Sequence, residues 1–203
     1  KEDLDFILSK AHSEIQILLF SATMPKHILM IAEKYMKTPQ KITIEKTNST
    51  PDNVKHSYFV VMAKNKYEVL KRIADSNPNI YGIVFCRTRN ETKDIASKFM
   101  QDGYNADALH GELSQAQRDE VMGRFRKNKL QMLIATDVAA RGLDVDHLSH
   151  VINYNMPDDM EVYIHRSGRT GRAGRKGKSI SILHTREVFK IKDLEKRYKI
   201  SFS

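Results

Sequence analysis

Hydrophobic and polar positions follow two alternating patterns after about residue 54. Short continuous apolar runs, typical of strands buried on both faces, alternate with longer segments in which apolar residues recur every three or four positions, as in helices. The predicted strands are His56–Val61, Gly82–Cys86, Ala106–Leu109, Met132–Ala135, His150–Tyr154 and Ser179–Leu183. The predicted helices are Asn65–Asp75, Glu91–Gln101, Gln115–Lys127, Asp159–Ser167 and Arg186–Tyr198. This alternation predicts an α/β fold with a parallel sheet and helices on both faces.

Polar residues at the predicted helix starts supply N-caps. Thr88 or Asn90 precedes the second of these helices and Ser114 the third, while Asp158 with Glu161 predicts a capping box for the fourth. The helix boundaries are therefore marked locally in the sequence.

The first 45 residues predict a small separate unit. Leu4, Ile7, Leu8 and Ala11 have helical spacing, Ile15–Phe20 predicts a buried strand, and Pro25 starts a helix that runs to about Met36. A short strand is predicted at Lys41–Ile44. Residues 46–53 are polar, contain a proline and show no periodicity, so they predict an interdomain linker before a second domain at 54–203.

Composition narrows the class of protein. Of the 203 residues 40% are hydrophobic, which is enough for a core and excludes global disorder. The formal net charge of +9 favours a polyanionic partner. The single Cys86 excludes an intrachain disulfide, and its place at the end of an apolar run predicts a buried structural thiol.

The sequence also predicts a soluble, cytoplasmic location. No apolar run approaches the roughly 18 residues of a membrane span, and the N-terminus lacks the apolar region of a signal peptide. Because the chain also lacks an initiator Met, we expect it to be part of a longer protein.

Candidate chemistry collects in the loops that follow three predicted strands. Arg87-Thr88 follows the first of them, His110–Ser114 leads from the second to Gln115 and Arg118, and Thr136–Asp144 follows the third. Hydroxyls, helix N-termini, glycine and arginine are groups that hold phosphate oxygens. Ligands of parallel sheets bind at the carboxyl ends of the strands, so these loops are expected to converge on one edge.

A run of four Arg-x-Gly triplets, from Arg166 to Gly177, is the most unusual feature of the chain. Arginine presents a planar fork of donors that suits phosphate, and glycine allows close backbone approach. Such a run is typical either of a phosphate site or of a disordered tract.

Several motifs together resemble the later motifs of DEAD-box RNA helicases, in the same order. They are Ser21-Ala22-Thr23, Val84–Thr88, Gln115-x-x-Arg118, Ala135–Asp144 and His165–Arg172. The resemblance implies that residues 1–45 are the tail of a first RecA-like domain, the ATP-binding domain. Residues 54–203 would be the complete second RecA-like domain, a P-loop NTPase-like helicase C-terminal domain.

The resemblance also implies roles at the nucleotide. Arg169 and Arg172 would be arginine fingers at the γ-phosphate, while Asp144 would contact the ribose and Gly142 would lie at the nucleotide. The cofactors would be ATP and Mg²⁺, bound mainly by the first domain, since this chain has no Walker A loop, Asp-Glu-Ala-Asp box or adenine-reading Gln motif. No metal ligands are expected here, and the chain alone is expected to hydrolyse no ATP.

Two further groups of residues receive roles in the same way. Contacts to RNA, mainly to its backbone and with little sequence specificity, would come from Arg87, Thr88, Gly111, Gln115, Arg118, Thr136 and Asp137. Coupling to the first RecA-like domain would come from Ser21, Ala22, Thr23, Arg141 and His165. The expected activity is ATP-dependent local unwinding of RNA duplexes.

Two other functions fit parts of the sequence. A stand-alone RNA-binding or regulatory module would use the Arg-Gly run as a flexible tail, but a capped helix precedes the run and a strand follows it. A DNA helicase or translocase of the same superfamily is the other alternative. The long match at Thr136–Asp144 and the compact match at His165–Arg172 favour the RNA enzymes.

Overall fold

A computed structural model describes residues 2–12, 14–21, 24, 26–43, 53–141, 143, 145 and 147–203. The chain divides into two compact units, Lys1–Thr47 and Asn48–Ser203. None of the helices in these described ranges is long and apolar enough to cross a membrane.

The described residues of the first unit form two helices, α1 (Glu2–Lys10) and α2 (Lys26–Tyr35), close to where they were predicted. Asp5 of α1 accepts hydrogen bonds from Lys34 and Tyr35 of α2. The predicted strand Ile15–Phe20 is wrong: these residues form no regular structure, and Phe20 is 88% exposed. A strand needs a hydrogen-bonded neighbour, and the described residues of 2–43 provide none. Residues 41–43 likewise form no strand, and Ile44 and most of the predicted linker lie outside the described residues.

The second unit is built on a sheet of six strands that are all parallel, as predicted. The strands are β1 (Val54–Val60), β2 (Gly82–Cys86), β3 (Ala106–Leu109), β4 (Met132–Thr136), β5 (His150–Asn153) and β6 (Gly177–Leu183). Their order across the sheet is β1-β6-β5-β2-β4-β3. The connection after β2 leads toward β3 and the connection after β5 leads toward β6, so the chain diverges between these two neighbours. Such a divergence opens a crevice at the carboxyl edge.

In the described residues of this unit five α-helices connect the strands and a sixth follows β6. They are α3 (Lys66–Asp75), α4 (Arg89–Gln101), α5 (Gln115–Arg126), α6 (Asp137–Ala140), α7 (Met160–Ser167) and α8 (Val188–Tyr198), with short 3₁₀ turns at Ala63–Asn65 and Thr185–Glu187.

Successive strand residues point to opposite faces of the sheet and build two main cores. On one face Val84 and Ile134 pack with Phe99 of α4, and on the other Phe85 and Leu133 pack with Phe125 of α5. A third cluster joins α7 to α8. Cys86 is buried, as predicted, and burial raises the pKa of its thiol.

Two of the three predicted caps are confirmed. Thr88 Oγ1 accepts from the Glu91 amide at 3.2 Å, and Ser114 forms a capping box with Gln117. The predicted capping box at Asp158 is wrong, because Asp159 caps α7 by accepting from the Glu161 amide at 2.9 Å. The Asp158 carboxylate instead accepts from Lys190 at 3.0 Å.

Candidate nucleotide and RNA interface

The strand-end loops meet at one edge because the sheet is parallel. Strands β2, β4 and β3 are consecutive neighbours, so Arg87-Thr88, Thr136-Asp137 and Gly111 follow three adjacent carboxyl ends. Adjacent strands lie about 4.8 Å apart, which spreads these groups over roughly 10 Å of the edge. The structure therefore brings this predicted set together.

Thr136 and Asp137 lie at the start of the short helix α6. Thr136 is buried, and its hydroxyl accepts from the Ala139 amide, so it serves as the N-cap. The carboxylate of Asp137 is bound in a fork by Arg166, with Nε to Oδ1 and Nη2 to Oδ2 both at 2.7 Å. Asp137 remains 39% exposed while the Arg166 side chain is only 4% exposed. This bidentate pair joins α6 to α7.

Besides its pair with Asp137, the Arg166 side chain makes two hydrogen bonds and a contact with an aromatic ring. Its Nη1 donates to Asn153 Oδ1 at 2.9 Å and to the Asn155 carbonyl at 2.7 Å, and its guanidinium lies 4.8 Å from the centre of the Phe85 ring. Sequence reasoning gave Arg166 no role beyond ending a helix. A usable signal was its spacing, because Arg166 lies three residues after the buried Tyr163 and so belongs to the inward side of α7.

Gly111 lies open at the carboxyl edge. A Cβ at this position would meet no described atom within 4 Å, and the backbone is not in the left-handed region. The fold therefore does not require glycine here. The neighbouring His110 is buried, and burial together with the charge of Lys93 lowers its pKa.

The two predicted residues of α5 lie on its first turns. Gln115 is exposed and its amide donates to Asp119 at 2.8 Å, while Arg118 is half-buried and donates to the Ala139 carbonyl at 3.2 Å. Arg118 thereby ties α5 to the end of α6.

The Arg-x-Gly run is ordered rather than a disordered tract. It begins in α7 and continues as a loop that leads back into β6, with Gly171 and Gly174 at φ of +70° and +75°. A Cβ on Gly177 would lie 2.6 Å from the Gly171 amide nitrogen. Gly171 and Gly177 therefore serve internal close packing and backbone bending.

Arg169 and Arg172 lie away from the carboxyl edge, since α7 runs back from that edge before the loop begins. Arg169 donates to the Leu143 carbonyl and Arg172 to the Gly168 carbonyl, each at 2.9 Å. Burial, with the neighbouring charge of Arg172, lowers the pKa of Arg169. Among the described residues neither guanidinium has a carboxylate partner.

A cavity of about 110 Å³ lies between α6 and α7. Its wall includes Arg141, His165 and Arg169, with Asp137 and Arg166 at its carboxyl-edge side. Arg141 and His165 are exposed. The structure thus gathers two of the five predicted coupling residues, Arg141 and His165, and one predicted finger around one opening.

Several predicted residues lie outside the described part of the chain. These are Gly142, Asp144, Ala22 and Thr23. Ser21 is described and exposed. Among the described residues no group of three His, Cys, Asp or Glu side chains could hold a metal ion.

Comparison with known proteins decides the family. Residues 65–174 match the family described as the helicase conserved C-terminal domain, more than half of the chain. A probable ATP-dependent RNA helicase of Methanocaldococcus jannaschii, MJ0669, is 45% identical over 199 residues, 98% of this chain and 53% of that protein. The DEAD-box ATP-dependent RNA helicase CshA of Geobacillus kaustophilus is 40% identical over 98% of this chain and 42% of its own length.

The chain belongs to the DEAD-box helicase family. Its RecA-like fold is shared with solved DEAD-box proteins. One of them is S. cerevisiae Dbp5 L327V, bound to RNA and ADP BeF3. The match has a TM-score of 0.90 and 28% sequence identity, and it covers 100% of this chain and 54% of the Dbp5 chain. This DEAD-box chain spans about half the length of these relatives or less.

Proposed function

We propose that this chain is the second half of an ATP-dependent RNA helicase. It closes over a nucleotide held by a first RecA-like domain and supplies Arg169 and Arg172 to the γ-phosphate. It also holds one RNA strand along the carboxyl edge of its sheet. Residues 1–45 are proposed to be the tail of that first domain and residues 46–53 the linker.

The proposal rests on the different hydrogen-bond partners of Arg166, Arg169 and Arg172. Arg166 is fully engaged by Asp137 and by two further acceptors inside the domain. Burial and the neighbouring charge of Arg172 lower the pKa of Arg169, and each of the two guanidinium groups donates to a backbone carbonyl of the described residues. Two neighbouring guanidinium groups without a described counter-ion favour an anion between them. The triphosphate of ATP is such an anion.

The donor set fits phosphate rather than a metal ion. Arginine has donors and no acceptor, so Arg169 and Arg172 would bind phosphate oxygens directly. Mg²⁺, when bound, neutralises charge on the triphosphate, and its ligands are proposed to belong to the first domain. Arg141 and His165, exposed beside the same cavity, are proposed to couple the two domains, and Gly142 and Asp144 to contact the nucleotide.

The RNA side of the proposal depends on the carboxyl edge. Arg87 and Thr88 are exposed there, Gln115 presents its amide, and Gly111 leaves open space for a backbone to approach. Arg118, Thr136 and Asp137 complete the proposed path. Arginine, amide and hydroxyl groups together suit phosphate and 2′-hydroxyl contacts, which carry little sequence information. Several relatives are named RNA helicases, and Dbp5 has been solved with RNA.

The test is the Arg172→Ala variant of the full-length protein that contains this chain. An arginine finger is worth about 10³–10⁵ in rate, so RNA-stimulated ATP hydrolysis should fall by at least about a hundredfold in a steady-state assay. The matched control is Arg175→Ala, which removes an exposed arginine three residues later in the same loop.

Two outcomes contradict the proposal. Near-normal turnover by Arg172→Ala would remove the finger assignment. A wild-type full-length protein with no RNA-stimulated ATP hydrolysis would remove the helicase function itself. An equal loss in Arg175→Ala would show that the assay reports general loop damage rather than a specific finger.

A further inference from the structure

The backbone of the loop between β5 and α7 accepts hydrogen bonds from four positively charged side chains. Each of its four consecutive carbonyls, from Tyr154 to Pro157, accepts a hydrogen bond from a different positively charged side chain. The donors are Lys66 at 3.1 Å, Arg166 at 2.7 Å, Arg87 at 3.4 Å and Lys190 at 3.0 Å, in the order of the carbonyls. They come from α3, α7, the segment after β2, and α8. The loop is therefore a junction of four elements at the carboxyl edge.

Asn155 makes the most connections in this junction. Its Oδ1 accepts from the backbone amide of Arg87 at 2.9 Å, and its Nδ2 donates to Glu91 Oε1 at 3.2 Å. Glu91 Oε2 accepts from the same Arg87 amide at 3.1 Å. The carbonyl of Asn155 accepts from Arg166. Asn155 thus fixes the start of the Arg87 segment with its side chain and the Arg166 side chain with its backbone.

These two partners lie on the two sides of the proposed site. Arg87 is exposed at the carboxyl edge, on the proposed RNA path. Arg166 lies in α7, three residues before Arg169, and holds Asp137 in a bidentate pair. Asn155 therefore links the Arg87 backbone, through its side chain and its own peptide, to the Arg166 guanidinium. The path from the proposed RNA edge to α7 is two hydrogen bonds long.

We infer that Asn155 is a positioning residue that couples RNA contact at Arg87 to the placement of α7 and of the arginines in the loop that follows it. The inference rests on the proposed function, since it requires both an RNA path and arginine fingers. It assigns to the Asn155 side chain the RNA dependence of hydrolysis rather than hydrolysis itself. The half-buried location of Asn155 keeps its amide bonds out of full competition with water.

The test is Asn155→Ala in the full-length protein. The substitution deletes both side-chain bonds and leaves the carbonyl that binds Arg166. We expect the RNA concentration for half-maximal stimulation to rise, and the stimulated rate relative to the basal rate to fall, by a combined factor on the order of ten. The basal ATP hydrolysis rate and the KM for ATP should stay within about twofold. The control is Asn79→Ala, an exposed asparagine at the opposite edge of the sheet.

A double-mutant cycle with Arg87→Ala separates positioning from simple support of the fold. If Asn155 acts through Arg87, the effect of Asn155→Ala on RNA stimulation should largely disappear in the Arg87→Ala background. Independent, multiplicative effects would overturn the inference, as would parallel loss of basal and stimulated rates with a lowered Tm. Wild-type protein that shows no RNA stimulation would instead refute the proposed function.

Discussion

The Asp137–Arg166 pair gives a quantitative prediction for Asp137→Asn. The substitution removes the negative charge opposite a guanidinium that is 4% exposed. Asparagine can still accept one hydrogen bond through its Oδ1, so one of the two bonds at 2.7 Å is lost and the other is weakened. Arg166 keeps Asn153 and the Asn155 carbonyl as acceptors, which limits the damage.

These contacts set the expected size of the effect. A hydrogen bond to a charged group contributes about 1.5–3 kcal/mol, and leaving a buried charge unpaired costs about 3–5 kcal/mol. Because Asp137 is partly exposed and two acceptors remain, we expect Asp137→Asn to lower the free energy of unfolding by about 2–3 kcal/mol. For a protein of this size each kcal/mol lowers Tm by about 2–4 °C, which gives a decrease of about 4–12 °C.

The assay is thermal and urea unfolding of the full chain, followed by circular dichroism. The control is Asp94→Asn, which removes an exposed carboxylate from the surface of α4 and should leave Tm within about 2 °C. If Asp137→Asn melts within the same 2 °C as wild type, the pair does not stabilise the domain. Asp137 would then be retained for its proposed contact with RNA alone.

Two further predictions follow from single positions. Gly111→Ala should leave Tm unchanged but weaken RNA binding at least about fivefold in a fluorescence anisotropy titration. The control Gly123→Ala, at an equally open position within α5, should bind RNA normally and be slightly more stable. Equal RNA binding by both variants would contradict a close approach of RNA at Gly111. Burial lowers the pKa of both His56 and His150 to about 4, so the folded state disfavours protonation and stability should fall as pH decreases from about 6.5 to 4, by about 3 kcal/mol for each histidine. In urea titrations across this pH range, the free energy of unfolding of His56→Gln should fall by about 3 kcal/mol less than that of wild type. Identical decreases in the two proteins would refute the contribution of His56.

The sheet of the second unit could be predicted from sequence because its central strands β2, β4 and β5 are buried on both faces. A run such as Gly82–Cys86 stays continuously apolar, and the observed strand has the same bounds. The order β1-β6-β5-β2-β4-β3 could not be read in this way, since local pattern carries no information on which strand pairs with which. That the strand-end loops lie at one edge followed from parallelism alone, whereas their closeness depends on the adjacency of β2, β4 and β3 in that order.

Two failed predictions trace to tertiary interactions that the local sequence does not reveal. Ile15–Phe20 has the apolar run of a buried strand, but no described neighbour pairs with it and its side chains stay largely exposed. Asp158 has the position of a cap, but Lys190, 32 residues away, binds its carboxylate. In each case a tertiary interaction, or its absence among the described residues, determined the structure instead of the local pattern.

The same reasoning explains why evenly spaced arginines differ in role. Within a helix a spacing of three keeps residues on neighbouring parts of one face, so an unbroken α7 would direct Arg169 close to Arg166. The helix instead ends at Ser167, and the chain turns at Gly168. Arg166 therefore points into the sheet toward Asp137, whereas Arg169 contacts the Leu143 carbonyl and lies beside Arg172. The evenly spaced arginines therefore lie in two different chemical environments, because the backbone changes conformation between the first and the second Arg-x-Gly triplet. The buried pair joins α7 to α6, and the two arginines proposed to bind the γ-phosphate lie in the loop that follows α7.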